Sequence, residues 1–207
     1  LERNSFLAAL RPAVDSLLTF IEENALKVIG MEHTIDTVFP VIGAFTGSID
    51  LLLADADGNL VIVDMKWNEG KTYNRRLEKG NTLQLALYRK AMETDGHKVV
   101  CEGYFVLPQR KFLTSVDYLQ PSDIVEIIEG EQFGDHFELA CNSYEYRMEQ
   151  IEQGIIEEAE GFSLADIQYH KDANTRRLYP LERAYEDDTT KSSPYGTPNL
   201  ILKGGLA

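Results

Sequence analysis

Two aspartates and a lysine, Asp50, Asp64 and Lys66, are the residues whose types and spacing could do chemistry. Asp50 sits at the head of one apolar run, Ile49 to Ala54, and Asp64 at the end of another, Leu60 to Val63. Between them lies Asp55-Ala56-Asp57-Gly58-Asn59, a turn signal, so the segment reads as a β-hairpin. The length of the turn decides whether the acids can meet. A two-residue turn at Asp57-Gly58 pairs Leu51 with Asp64 and sends the acids to opposite faces, because side chains alternate along a strand. A three-residue loop, Ala56-Asp57-Gly58 with Gly58 left-handed, pairs Asp50 with Asp64. Lys66, two residues beyond Asp64, then shares its face. The three-residue loop is the expected one.

Carboxylates in contact repel each other, and no arginine cluster inside the hairpin neutralises them. A divalent cation would. Hard oxygens with no His or Cys in the pair suit magnesium, with manganese as the alternative, better than zinc. A metal held this way beside a lysine can activate water against a phosphodiester. The turn also begins like a calcium loop, but the sixth position is Leu60 instead of Gly, the twelfth is Lys66 instead of Glu, and strands flank it. Calcium is rejected.

The ordered set Gly47-x-x-Asp50, Asp64-x-Lys66 and Gln84-x-x-x-Tyr88 resembles the PD-(D/E)XK nuclease superfamily, specifically its RecB-like exonuclease branch, over roughly residues 28–108. The resemblance implies a restriction-endonuclease-like α/β core and Mg²⁺-dependent DNA cleavage that leaves a 5′-phosphate. It implies that Asp50 and Asp64 bind the metal, with the Met65 backbone carbonyl completing the shell. Lys66 would position or deprotonate the water, and Gln84 and Tyr88, four apart on one helix face, would orient Lys66 or grip the strand. Glu32 stands where this branch often carries a metal-site glutamate; an exposed strand-edge acid is the competing reading. The branch usually has a metal-binding histidine on a helix upstream, yet no histidine precedes His33, so it lies before Leu1 or is missing. The two cysteines, Cys101 and Cys141, cannot alone supply the four-cysteine iron–sulfur cluster of some relatives, and none is expected. The implied partner is a single- or double-stranded DNA end, with a helicase or recombination protein in cis or in trans.

A net charge of −14 opposes general affinity for nucleic acid. The basic residues are clustered, however. Lys71, Arg75, Arg76 and Lys79 follow the motif directly and form a candidate DNA-binding patch, while much of the acid lies far along the chain. The rival from another functional class is a non-catalytic binding or assembly domain that keeps the nuclease fold. A restriction or repair endonuclease of the same superfamily shares the chemistry. With no membrane-length apolar run and few cysteines, a cytoplasmic protein without membrane contact is expected.

These residues need elements to position them. A helix is expected over Ser5 to Asn24 with an apolar stripe at Leu10, Val14, Leu17, Leu18 and Ile21, and Pro12 marks a first turn or a kink. Val28 to Phe39 reads as a strand, and Asn68 to Gly80 as a polar loop or irregular helix start. Asn81 or Thr82 caps a helix through Met92, and Val99 to Leu107 returns as a strand parallel to the second hairpin strand. A strand over Lys111 to Val116, a short helix from Pro121 to Ile128 and a longer helix from Ser143 to Glu160, striped by Tyr144, Met148, Ile151, Ile155 and Ala159, complete the prediction. The expected fold is a central mixed sheet of about four or five strands flanked by helices. One nuclease-like domain is expected over 1–207, excised from a longer chain: a core over 12–118, a helical extension over 119–186 and an exposed tail over 187–207.

Overall fold

The computed structural model describes residues 2–67, 71–80, 82–130 and 136–154. The elements in order are helix α1 (Glu2–Glu23), strands β1 (Lys27–Phe39), β2 (Gly43–Ala54) and β3 (Leu60–Lys66), helices α2 (Lys71–Glu78) and α3 (Leu83–Thr94), strands β4 (Val99–Val106), β5 (Lys111–Thr114) and β6 (Val125–Ile127), and helix α4 (His136–Glu152). The chain divides into two compact units, Leu1–Phe137 and Glu138–Ala207. Of the second, residues 138–154 are described, most of them in α4, on which Leu139 and Cys141 are buried while Tyr144, Met148 and Ile151 are exposed. The rest of the predicted stripe, Ile155 and Ala159, and the tail over 187–207 lie outside the described residues.

The first unit holds a six-stranded mixed sheet in the order β1-β2-β3-β4-β5-β6. β1, β2 and β3 are antiparallel neighbours, β3 and β4 run parallel, β4 and β5 antiparallel, and β5 and β6 parallel. The parallel step is the expected crossover, and it carries α2 and α3. One core gathers Phe20 and Leu26 around Leu51, Leu53, Val61, Val63, Cys101, Phe105, Phe112 and Val125. A second joins Tyr73 and Leu77 of α2 and Leu85 of α3 to Tyr104, Val106 and Leu113. Alternation along β3 therefore assigns Val61 and Val63 to the α1 side and leaves Asp64 and Lys66 on the face that α2 and α3 cover.

Several expectations need correction. The buried face of α1 is Ala13 and Phe20, with Leu17 and Ile21 beside them; Val14 and Leu18 are exposed, and Pro12 lies within the helix. The stretch expected to be a polar loop or irregular helix start contains a regular helix, α2. Only Tyr73 and Leu77, one turn apart, face inward, so the apolar stripe is too short to register against the basic residues around it. Residues 121–128 form no helix. The Ser122 hydroxyl accepts from the Ile124 and Val125 N–H groups, as a helix cap would, but the β-branched residues beyond it extend β5 as a sixth strand. Thr82 precedes α3 without a side-chain capping bond; its hydroxyl lies 2.9 Å from His136 Nδ1 instead. Finally, α4 begins seven residues before Ser143, at His136.

Candidate active site

The hairpin closes with the three-residue loop. Asp55 N–H donates to the Asn59 carbonyl at 2.9 Å, and Gly58, with φ +82°, supplies the left-handed step. The Asp55 carboxylate ties the loop by accepting from the Asp57 and Asn59 N–H groups at 2.9 and 2.8 Å. Register follows from that loop: Ala54 pairs with Leu60 and Leu51 with Val63, which sets Asp50 opposite Asp64.

The β2–β3 ladder ends at the Leu51–Val63 pair, and beyond it β2 stays with β1. In the fork so formed the Asp50 Oδ2 atom accepts the Met65 N–H at 2.6 Å, replacing a ladder bond with a carboxylate. Lys66 C=O turns toward β4, where it accepts from Leu107 N–H at 2.9 Å. Successive residues of a strand direct their backbone groups to opposite sides, so Met65 C=O shares the Asp50 side with its own N–H.

Asp64 is 1% exposed at the end of a strand buried on both faces. Its partner is the Lys66 ammonium, which contacts Oδ2 as an ion pair. That oxygen is nevertheless buried without a hydrogen bond of ordinary geometry. Burial pushes the Asp64 carboxyl above its usual range; the hydrogen bond and charge of Lys66 oppose this, and the Asp50 charge adds to it. Two acids at a common point, one of them dehydrated, leave a demand for positive charge.

From the ammonium the contacts continue into α3. Lys66 Nζ donates to Gln84 Oε1 at 3.3 Å, and Gln84 Nε2 donates to the Tyr88 hydroxyl at 3.0 Å. Gln84 is exposed and Tyr88 buried. Tyr88 also lies over Gly47, where a Cβ would stand 3.2 Å from its Cε1 and 3.2 Å from Phe45 Cζ. Glycine at 47 allows the strand to approach the ring.

The structure thus brings Asp50, Asp64, Met65, Lys66, Gln84 and Tyr88 together. Glu32 shares the sheet row, since Met31 and His33 flank it opposite Leu51 and Ile49, but its carboxylate accepts from Ser48 Oγ at 3.1 Å and is exposed. Its φ of +48° is in the left-handed region that a glutamate seldom adopts. Among the described residues no group of three or more His, Cys, Asp or Glu side chains is arranged to hold a metal. Lys71, Arg75 and Arg76 lie exposed on α2, and Lys79 lies exposed just past its end.

Sequence reasoning missed Tyr104. This buried residue pairs with Asp64 in the β3–β4 ladder, carries Lys66 Nζ 6.0 Å from its ring centroid and packs against Tyr73 with centroids 4.9 Å apart and planes tilted by 44°. Nothing in a single sequence announces it, because its place depends on the β3–β4 register.

The sequence profile of the PD-(D/E)XK nuclease superfamily matches residues 2–173. The chain belongs to that superfamily. The six-stranded mixed sheet with flanking helices is consistent with the PD-(D/E)XK fold, and nucleases of the superfamily typically use divalent metals. No curated protein matches the chain significantly. Among the described residues no helix is long and apolar enough to cross a membrane.

Proposed function

We propose that this chain is a metal-dependent deoxyribonuclease of the RecB-like branch, an exonuclease acting at DNA ends in repair, recombination or phage-related DNA processing. The observation that carries the reading is the meeting, in the fork between β2 and β3, of Asp50, bonded to the Met65 N–H, and the dehydrated Asp64, paired with Lys66.

The donors suit magnesium. The buried Asp64 oxygen with no ordinary hydrogen bond, the Asp50 carboxylate and the Met65 carbonyl are all hard oxygens. Two carboxylates are enough for an ion that keeps several waters or phosphate oxygens. When bound, the cation would neutralise the acid pair and raise the reactivity of water toward phosphorus. Lys66, fixed by Asp64 and Gln84, would orient the attacking water and the phosphate oxygens. Tyr88 would hold Gln84, and through it the ammonium. In the hydrolysis the water oxygen bonds to phosphorus as the P–O3′ bond breaks; a water proton ends on the 3′ oxygen and the phosphate remains on the 5′ side. Glu32 would serve the same metal site from β1 only after leaving Ser48. Basic residues of α2 would follow the backbone of the strand.

The rival reading, a domain that binds or assembles without cleaving, draws on the net charge of −14. Against it stands the desolvation of Asp64, which a purely binding role leaves without a use. The deciding test is cleavage of linear duplex, circular duplex and single-stranded DNA with Mg²⁺ or Mn²⁺. Degradation of linear but not covalently closed circular DNA supports the exonuclease, and attack on circles makes it an endonuclease. Inert DNA in all three forms, with either ion, would leave the assembly domain.

A further inference from the structure

The three basic residues of α2, Lys71, Arg75 and Arg76, are not equivalent. Arg76 lies with its Cζ 5.4 Å from the centroid of the Tyr73 ring, which in turn packs, tilted, with its centroid 4.9 Å from that of Tyr104. Tyr104 is the ladder partner of Asp64 and has the Lys66 ammonium 6.0 Å from its ring centroid. Each ring of this aromatic pair therefore has a cation over it, Arg76 at Tyr73 and Lys66 at Tyr104. The guanidinium charge lowers the proton affinity of both Asp64 and Tyr104, against the larger effect of burial. Among the described residues Arg76 forms no ion pair with a carboxylate, and it is exposed. An arginine held over the Tyr73 ring and hydrogen-bonded to the Tyr104 hydroxyl has lost rotamer freedom without gaining a carboxylate partner. Its planar fork of donors matches phosphate oxygens.

We propose that Arg76 contacts the phosphate under attack and stabilises the charge that develops on it, whereas Arg75 on the same helix only follows the DNA backbone. The assignment rests on the nuclease reading above. Lys66, over the Tyr104 ring, and Arg76, over the Tyr73 ring, would both reach the phosphate.

The test is cleavage of linear DNA with Mg²⁺, resolved into kcat and KM, for the wild type, Arg76→Ala, Arg76→Lys and Arg75→Ala. Removing one preorganised donor to transition-state charge costs ~10²-fold or more in kcat. Arg76→Ala should lose that much with KM changed less than about threefold, and Arg76→Lys should recover only part of it, since charge is kept and the fork lost. Arg75→Ala should raise KM and leave kcat in place. Guanidinium added to Arg76→Ala should restore some rate, a response that a purely structural role would not give. If Arg76→Ala does not fold, Arg76→Gln, which keeps the aliphatic stem over Tyr73, carries the same comparison. A wild type that cleaves while Arg76→Ala matches it in kcat overturns this inference alone; a wild type that does not cleave overturns the nuclease reading and this inference with it.

Discussion

Gly47→Ala separates positioning from stability. The backbone there lies outside the left-handed region, so alanine is conformationally allowed. The added methyl would meet Phe45 Cζ and Tyr88 Cε1, each at 3.2 Å, and both rings must yield by a few tenths of an ångström. Overpacking of this kind costs ~1–3 kcal/mol, while losing glycine's unfolded-state freedom returns ~0.4–1 kcal/mol. The net loss is about 1 kcal/mol, a fall in Tm of about 2–4 °C for a chain of this size. Catalysis should feel more. Tyr88 holds Gln84 at 3.0 Å and Gln84 holds Lys66 at 3.3 Å, so a displaced ring moves the ammonium through two hydrogen bonds. A misplacement of ~1 Å costs ~10²-fold, so a few tenths should lower kcat about three- to tenfold. Thermal denaturation and steady-state cleavage of linear DNA read the two effects separately. An unchanged kcat in a variant whose Tm has fallen as expected would refute the idea that Tyr88 and Gln84 place Lys66.

Other substitutions test other contacts. Asp64→Asn should raise the Tm of the metal-free protein, because it removes a dehydrated charge, and should abolish the Mg²⁺-induced rise in Tm expected of the wild type. Gly103→Ala should destabilise by about 3 kcal/mol in urea unfolding, since its methyl would overlap the Leu113 carbonyl oxygen and stand 2.6 Å from Phe112 Cζ, neither of which can swing away. Tyr118→Phe tests the turn at the far end of the hairpin. The Tyr118 hydroxyl donates to Asp55 at 2.5 Å and, with Asn59, holds the Asp55 carboxyl down to about 2. A depressed carboxyl gives stability that is complete above its unfolded value of 3.8 and disappears as pH falls toward about 2. The wild type should therefore lose more stability than Tyr118→Phe between pH 5 and pH 2, a window set by that shift, and parallel curves would discount the contact. If α2 binds phosphate, log affinity for DNA should fall with log salt, and Lys71→Ala should make the slope shallower by about 1.

The hairpin and its acids were legible because everything needed lies within a short stretch. One glycine in a turn of readable length sets the register, and strict alternation converts register into faces. The crossover was legible for a similar reason, since helical spacing between two apolar runs leaves little choice of topology. What escaped depends on distant partners. α2 is held by two residues that meet Tyr104 and Leu113, and β6 exists because β5 offers an edge. The Thr82 hydroxyl, read as a cap, is spent on His136, far along the chain. Arg76 and Lys79 looked alike as letters, and only the packed Tyr73 and Tyr104 rings distinguish Arg76.

The central claim is that the fork between β2 and β3 is a divalent-cation site built from Asp50 and Asp64. Calorimetric titration of Mn²⁺ into the metal-free protein tests it most directly. The wild type should bind the ion, and Asp50→Asn and Asp64→Asn should each reduce binding at least about tenfold while remaining folded. Equal binding by the wild type and both variants, or no binding by the wild type, would contradict the account.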